Sequence, residues 1–202
     1  MAQISRRESL KMMALAPLAS GFSWAGSDVD TAHRKAAAAI AQGGPFKPSF
    51  FTDHEFQTVR VLADIVIPKD ERSGSATDVG VPEFMDFMML DQDWRQTGMR
   101  GGLAWLDAIS IKRYGKTFVD ATEAERISIV DDIAYPEHAS PDVSQGVAFF
   151  NSFRDLTATG FWTSREGIDD IQYLGNTVVP EWTGCPEEAL KKIGVENVTL
   201  RG

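Results

Sequence analysis

Three times along the chain a threonine stands three residues before a glutamate, and each time apolar residues follow at helical spacing. Thr52 and Glu55 precede Phe56, Val59, Leu62 with Ala63, and Val66; Thr122 and Glu125 precede Ile127, Val130 and Ile133; Thr163 and Glu166 precede Ile168 and Ile171. In such a capping box the threonine oxygen accepts from the backbone N–H three residues on. The glutamate reaches back to the threonine N–H, so two donors that a helix start leaves unpaired are satisfied. There is no sustained period-two alternation, and Val195 to Leu200 alone has the pattern of a short terminal strand. The reading is all-α: an irregular single-domain helical fold of about seven helices with long loops. With 202 residues, 43% of them hydrophobic, the chain is long enough for one well-buried core.

The other helices follow from their punctuation. A hydrophobic staple of Phe51 on Phe56 is expected beside the first capping box, and Pro68 stops that helix. Residues 69–80, KDERSGSATDVG, form a long charged, Gly/Ser-rich loop, and loops of that length are usually functional or disordered. Pro82 opens a helix apolar nearly all round, with Phe84, Met85, Phe87, Met88, Met89 and Leu90, which has to be buried on more than one side. Trp94 to Tyr114 carries Leu103, Leu106 and Ile109 on one stripe. Gly115 is its stop, and Gly98, Gly101 and Gly102 weaken its first half. Ser140-Pro141 begins a helix that Gly160 ends, and Pro186 sits at the first position of a last short helix.

The first 25 residues read as an export signal rather than as fold. A paired arginine, Arg6-Arg7, and Lys11 precede a mildly apolar run from Met12 to Ala25, broken by Pro17 and too short to span a bilayer. The pair resembles a twin-arginine signal, with Ser9 where phenylalanine is usual; that route carries folded cargo to the periplasm. The organisation expected is a signal over 1–25, an Ala-rich and Gly-Pro linker over 26–49 with a short helix from Thr31 to Ala41, and the helical domain over 50–202. Formal charge is -9, and outside the leader 17 basic residues face 28 acidic ones. Such a surface repels phosphate backbones and anionic lipid, which sets nucleic acid and membrane-surface partners aside.

No catalytic constellation emerges. One cysteine, Cys185, excludes a C-x-x-C zinc or redox pair, a four-cysteine Fe–S site and c-type haem attachment within this chain. His33, His54 and His138 are scattered, so neither a metal site nor a cofactor-binding or catalytic set is assigned. Asp131-Asp132 and Asp169-Asp170 are acidic pairs of the kind glycoside hydrolysis uses. Adjacent helix residues point about 100° apart, however, so neither pair by itself faces one substrate. An independent periplasmic enzyme built on such pairs and a free-standing binding module remain the alternative readings. Residues 148–187 concentrate Phe149, Phe150, Phe153, Phe161, Trp162, Tyr173 and Trp182 among turn glycines; a loop-rich satellite core is the first reading for most of them and a protein interface the second, and composition does not separate the two.

Gly160-Phe161-Trp162-Thr163-Ser164, Gly167-Ile168, Tyr173-Leu174-Gly175-Asn176 and Trp182-Thr183-Gly184-Cys185-Pro186 together resemble the C-terminal signature of the gluconate 2-dehydrogenase subunit 3 family. Phe50-Phe51-Thr52, Glu55, Asp64-Ile65-Val66-Ile67-Pro68 and Gly80-Val81-Pro82-Glu83-Phe84-Met85-Asp86 resemble its N-terminal part, so the likeness runs from about Phe50 to Gly194. Trp162 stands where phenylalanine or tyrosine is commoner. The resemblance implies a small subunit that holds no cofactor itself. Its implied partner is a large FAD-binding catalytic subunit of the glucose-methanol-choline type. Fe–S or c-type haem would be a further centre in partner subunits, with a c-type cytochrome receiving electrons. It also implies that the small subunit carries the export signal and supports maturation of the flavoprotein. Phe161, Trp162, Tyr173, Asn176, Trp182 and Cys185 are the candidate partner interface. An odd cysteine in an exported chain is buried, free or paired with another chain, which makes Cys185 a candidate intersubunit disulfide.

Overall fold

The computed structural model describes residues 26–41, 46–173, 175 and 184–195. The leader with Arg6 and Arg7, the Gly43-Gly44-Pro45 joint, Asn176, Trp182 and the expected strand beyond Val195 lie outside the described residues. Within them the chain is all-α, with eight α-helices, one 3-10 turn and no strand. It divides into a large unit ending at Gln172 and a small one beginning at Tyr173. The first holds α1 (Gly26–Ala41), α2 (Asp53–Val66), α3 (Val81–Asp91), α4 (Asp93–Tyr114), α5 (Glu123–Ala134), the turn Pro141–Val143, α6 (Ser144–Trp162) and α7 (Arg165–Asp170). The second holds α8 (Glu187–Lys192).

α6 is the hub of the first unit, packing on α2, α3, α4, α5 and α7. Its Phe149, Phe150, Phe153, Leu156 and Phe161 are all buried, so most of the aromatics of 148–162 are core. α3 is buried on several sides, as its composition requires: Val81, Phe84, Met85, Met88 and Met89 are at most 1% exposed. The fully buried Asp86 carboxylate accepts from the N–H groups of Ser49, Phe50 and Phe51 at 2.8, 2.9 and 3.0 Å. It thereby fixes how the chain enters α2. Phe51 and Phe56 are both buried, but the ring partner of Phe56 is Phe46, at 5.3 Å, and that of Phe51 is Phe50.

Two of the three capping boxes form as expected. Thr52 accepts from Glu55 N while Glu55 Oε2 accepts from Thr52 N at 2.8 Å, and Thr122 and Glu125 repeat this at 2.7 Å. The third does not form. Gly160 does not end α6, which runs on to Trp162, because Gly160 is a contact point: a Cβ there would stand 2.8 Å from the Phe84 ring. The cap of α7 consequently falls one residue later, on Ser164, whose Oγ accepts from Gly167 N at 3.1 Å. Pro186 likewise is the residue before α8 rather than its first, leaving Cys185 one step further out.

The described residues of 26–49 pack on the core and do more than link. α1 begins at Gly26, well before the expected Thr31, and buries Ala32 and Ala36. Small side chains let it lie close on α3, where His33 stacks on Phe84 at 4.6 Å and Lys35 sits 5.9 Å over the Phe87 ring. The 69–80 loop is tied at several points: Asp70 Oδ1 accepts from Arg72 N and Ser73 N, and Asp64 Oδ1 accepts from Thr77 N, each at 2.8 Å.

Candidate functional site

The end of α6, the short α7, the tied loop and the outer stripe of α1 enclose a cleft of about 890 Å³, within the size range of ligand and partner pockets. His33, Ala37, Arg72, Thr163, Glu166 and Gln172 line it. α7 is positioned by three tethers. Gly167 packs so tightly on the α6 end that a Cβ would stand 2.1 Å from Phe161 O and 2.8 Å from Trp162 Cα. Arg72 reaches from the loop to Asp170, with a 3.0 Å ion pair and a bond to its carbonyl. Glu166, turned away from the cap it would otherwise serve, accepts from Gly74 N.

The α1 wall is fastened by His33 Nε2, 2.6 Å from Thr163 Oγ1. The Thr163 hydroxyl hydrogen is committed to Thr159 O, so Nε2 must be the donor in this bond. Burial holds the His33 pKa below its usual value, with the Asp30 carboxylate opposing, and the ring is a neutral donor at neutral pH. These cross-links join residues roughly a hundred positions apart and leave no local sequence signal. Each has a plain consequence: the cleft is a fixed surface feature.

Of the residues expected at a partner interface, Phe161 and Trp162 are adjacent in structure and divide the work. Phe161 is 1% exposed and carries the Trp162 indole edge-on at 5.6 Å, while Trp162 is 41% exposed. Tyr173, 62% exposed, and Cys185, exposed with a free thiol, belong to the second unit. Asn176 and Trp182 lie outside the described residues.

The acidic pairs are spread among ion pairs. Asp132 binds Arg113 at 2.6 Å, and Asp170 binds Arg72. The histidines that looked scattered include one close pairing, His54 Nε2 with Asp107 Oδ2 at 2.6 Å, and the other oxygen of Asp107 accepts from Phe118 N. That dyad anchors α2 to α4. A second, apolar cavity of about 500 Å³ between α4 and α6 is lined by Trp94, Gly98, Met99, Trp105, Phe149 and Phe153. Gly101 and Gly102 also line it, and like Gly98 they read in the sequence as helix-weakening positions. No helix among the described residues is long and apolar enough to cross a membrane.

A family model described as gluconate 2-dehydrogenase subunit 3 matches residues 53–180, from the first residue of α2 to beyond the cleft, more than half of the chain. Comparison with curated proteins and with solved structures gave no match.

Proposed function

The chain belongs to the gluconate 2-dehydrogenase subunit 3 family, and from that premise we propose that it is the non-catalytic small subunit and export escort of a periplasmic, FAD-dependent sugar or glycoside dehydrogenase. The family match over α2 to α7 carries the proposal, and the Arg6-Arg7 leader supports its export half. In this reading the catalytic subunit is a large flavoprotein of the glucose-methanol-choline type without a signal of its own. FAD, and Fe–S or c-type haem as a further centre, reside in partner chains, and a c-type cytochrome receives the electrons. Substrate specificity then lies in the partner.

The physical logic is that of a rigid adaptor. A helical body cross-linked at its cleft offers a pre-formed surface, so little ordering cost falls on association. The twin-arginine route carries folded cargo, which allows the flavoprotein to bind its cofactor and this chain before crossing. Cys185, exposed and two residues before the start of α8, is the candidate for a disulfide to the partner. The test is purification with and without the flavoprotein. This chain alone is expected to be colourless and inactive on sugars, and the co-expressed pair to carry flavin and oxidise them. Flavin absorbance or sugar oxidation by the chain alone would overturn the reading.

A further inference from the structure

Where α4 and α6 touch, each helix lays a ring on a glycine of the other. A Cβ at Gly102 would stand 1.8 Å from the Phe149 ring, and one at Gly146 would stand 2.4 Å from the Trp105 ring. Gly98 and Gly101 share α4 with Gly102 and line the cavity of about 500 Å³ between the two helices, yet a Cβ at either would meet nothing within 4 Å. Neither has a left-handed backbone. A glycine inside a helix is less favourable than alanine, so neither packing nor backbone geometry accounts for these two. Their visible effect is to leave one wall of the cavity bare, beside helices that elsewhere pack ring on backbone.

The lining defines what fits. Met89, Met99, Phe149, Phe153 and Leu156 are its buried part. Arg95 is the only charged side chain among the described lining residues, and it is already engaged, by Gln92 Oε1 at 2.6 Å and by the Trp94 ring at 4.3 Å. A charged ligand would lose its hydration there without gaining a counter-charge on the buried side. The neutral polar side chains of the lining, Gln145 and Ser152, are both exposed, which puts hydrogen-bonding groups at the mouth. An apolar cavity of about 150 Å³ is enough for a benzene ring, so this one has room for a molecule of about two or three rings.

We propose that the cavity between α4 and α6 is a binding site for a small, uncharged, apolar molecule of that size, held by the buried methionine and phenylalanine side chains. Gly98 and Gly101 keep its entrance clear. The site stands apart from the subunit contact of the small-subunit reading and does not depend on it.

The experiment titrates the full chain with N-phenyl-1-naphthylamine, a neutral apolar probe whose fluorescence rises when it leaves water. Saturable binding of one probe per chain is expected. Gly98→Leu and Gly101→Leu, which place side chains where α4 is bare, and Ala148→Phe on the facing helix, should each raise Kd at least about tenfold. Circular dichroism and Tm of each variant check the fold, and the two leucine variants should melt no lower than the parent. Ala104→Leu, at an exposed α4 position outside the lining, should bind within about twofold of the parent. If the parent shows no saturable binding, or if all three filling variants bind like the parent, the proposal is overturned. If the purified flavoprotein subunit expels the probe mole for mole and Gly101→Leu weakens that complex, the cavity is part of the subunit interface; the ligand site then falls while the small-subunit reading stands.

Discussion

The Phe149 ring lies on the bare backbone of Gly102: a Cβ placed there would stand 1.8 Å from Phe149 Cδ2. Gly101, its neighbour in α4, has nothing within 4 Å of the same position. Gly102→Ala should therefore destabilise the fold by about 1–3 kcal/mol through overpacking. Gly101→Ala should stabilise it by up to about 1 kcal/mol, since alanine restricts the unfolded chain and favours helix. Urea unfolding separates the two; effects of the same sign would mean that propensity, not contact, governs α4.

Asp86 gathers three backbone donors at the entrance to α2, and they have no other acceptor among the described residues. Asp86→Ala should cost about 3 kcal/mol, because one buried and two part-buried N–H groups lose their partner. Asp86→Asn keeps one acceptor oxygen and should cost less. Chemical denaturation of both variants ranks them, and an Asp86→Ala protein as stable as its parent would show that water replaces the carboxylate freely.

Two glutamates should give opposite pH slopes. Burial raises the Glu83 pKa above 4.5, partly opposed by its own backbone N–H and by Arg60 at 3.7 Å, and Glu83 Oε2 has no hydrogen-bond partner among the described residues. Its protonated form is favoured on folding, so its contribution is complete below 4.5 and declines as pH rises through the raised value. Glu83→Gln should therefore gain stability relative to the parent as pH rises to neutral. The Lys116 ammonium and the Thr122 N–H and hydroxyl hold the Glu125 carboxyl down to about 2. Its contribution is present above 4.5 and lost as pH falls toward 2, so the penalty of Glu125→Gln should fade in acid. Unfolding free energies across the acid range check both signs.

The capping boxes at Thr52 and Thr122 were readable because both partners lie within one helical turn. The one at Thr163 was not, because Glu166 finds its donor at Gly74, 92 residues away. Gly160 was misread for a related reason. Alone in sequence it looks like a stop, and only the approach of Phe84 reveals that its missing side chain is the point of the contact. The extent of α1 was likewise invisible, since alanines carry little periodic signal until α3 is known to cover Ala32 and Ala36. At the site, the aromatic pair Phe161-Trp162 stood out by composition. Which ring is core and which is surface depended on the neighbours of each.

If Cys185 bridges to the partner, non-reducing electrophoresis of the purified complex should show one covalent heterodimer that dithiothreitol dissolves. Cys185→Ser should abolish that band while the reduced subunits migrate unchanged. Two separate bands from the oxidised parent complex would assign Cys185 as a free thiol.

The central claim is that this chain carries a flavoprotein out of the cytoplasm. The direct measurement is flavin-containing dehydrogenase activity in the periplasmic fraction of cells expressing the large subunit with this chain, without it, and with Arg6 and Arg7 both changed to lysine. The account predicts exported activity only with the intact chain, with the large subunit remaining in the cytoplasm in the other two cases. A large subunit that reaches the periplasm with full activity when this chain is absent would contradict it.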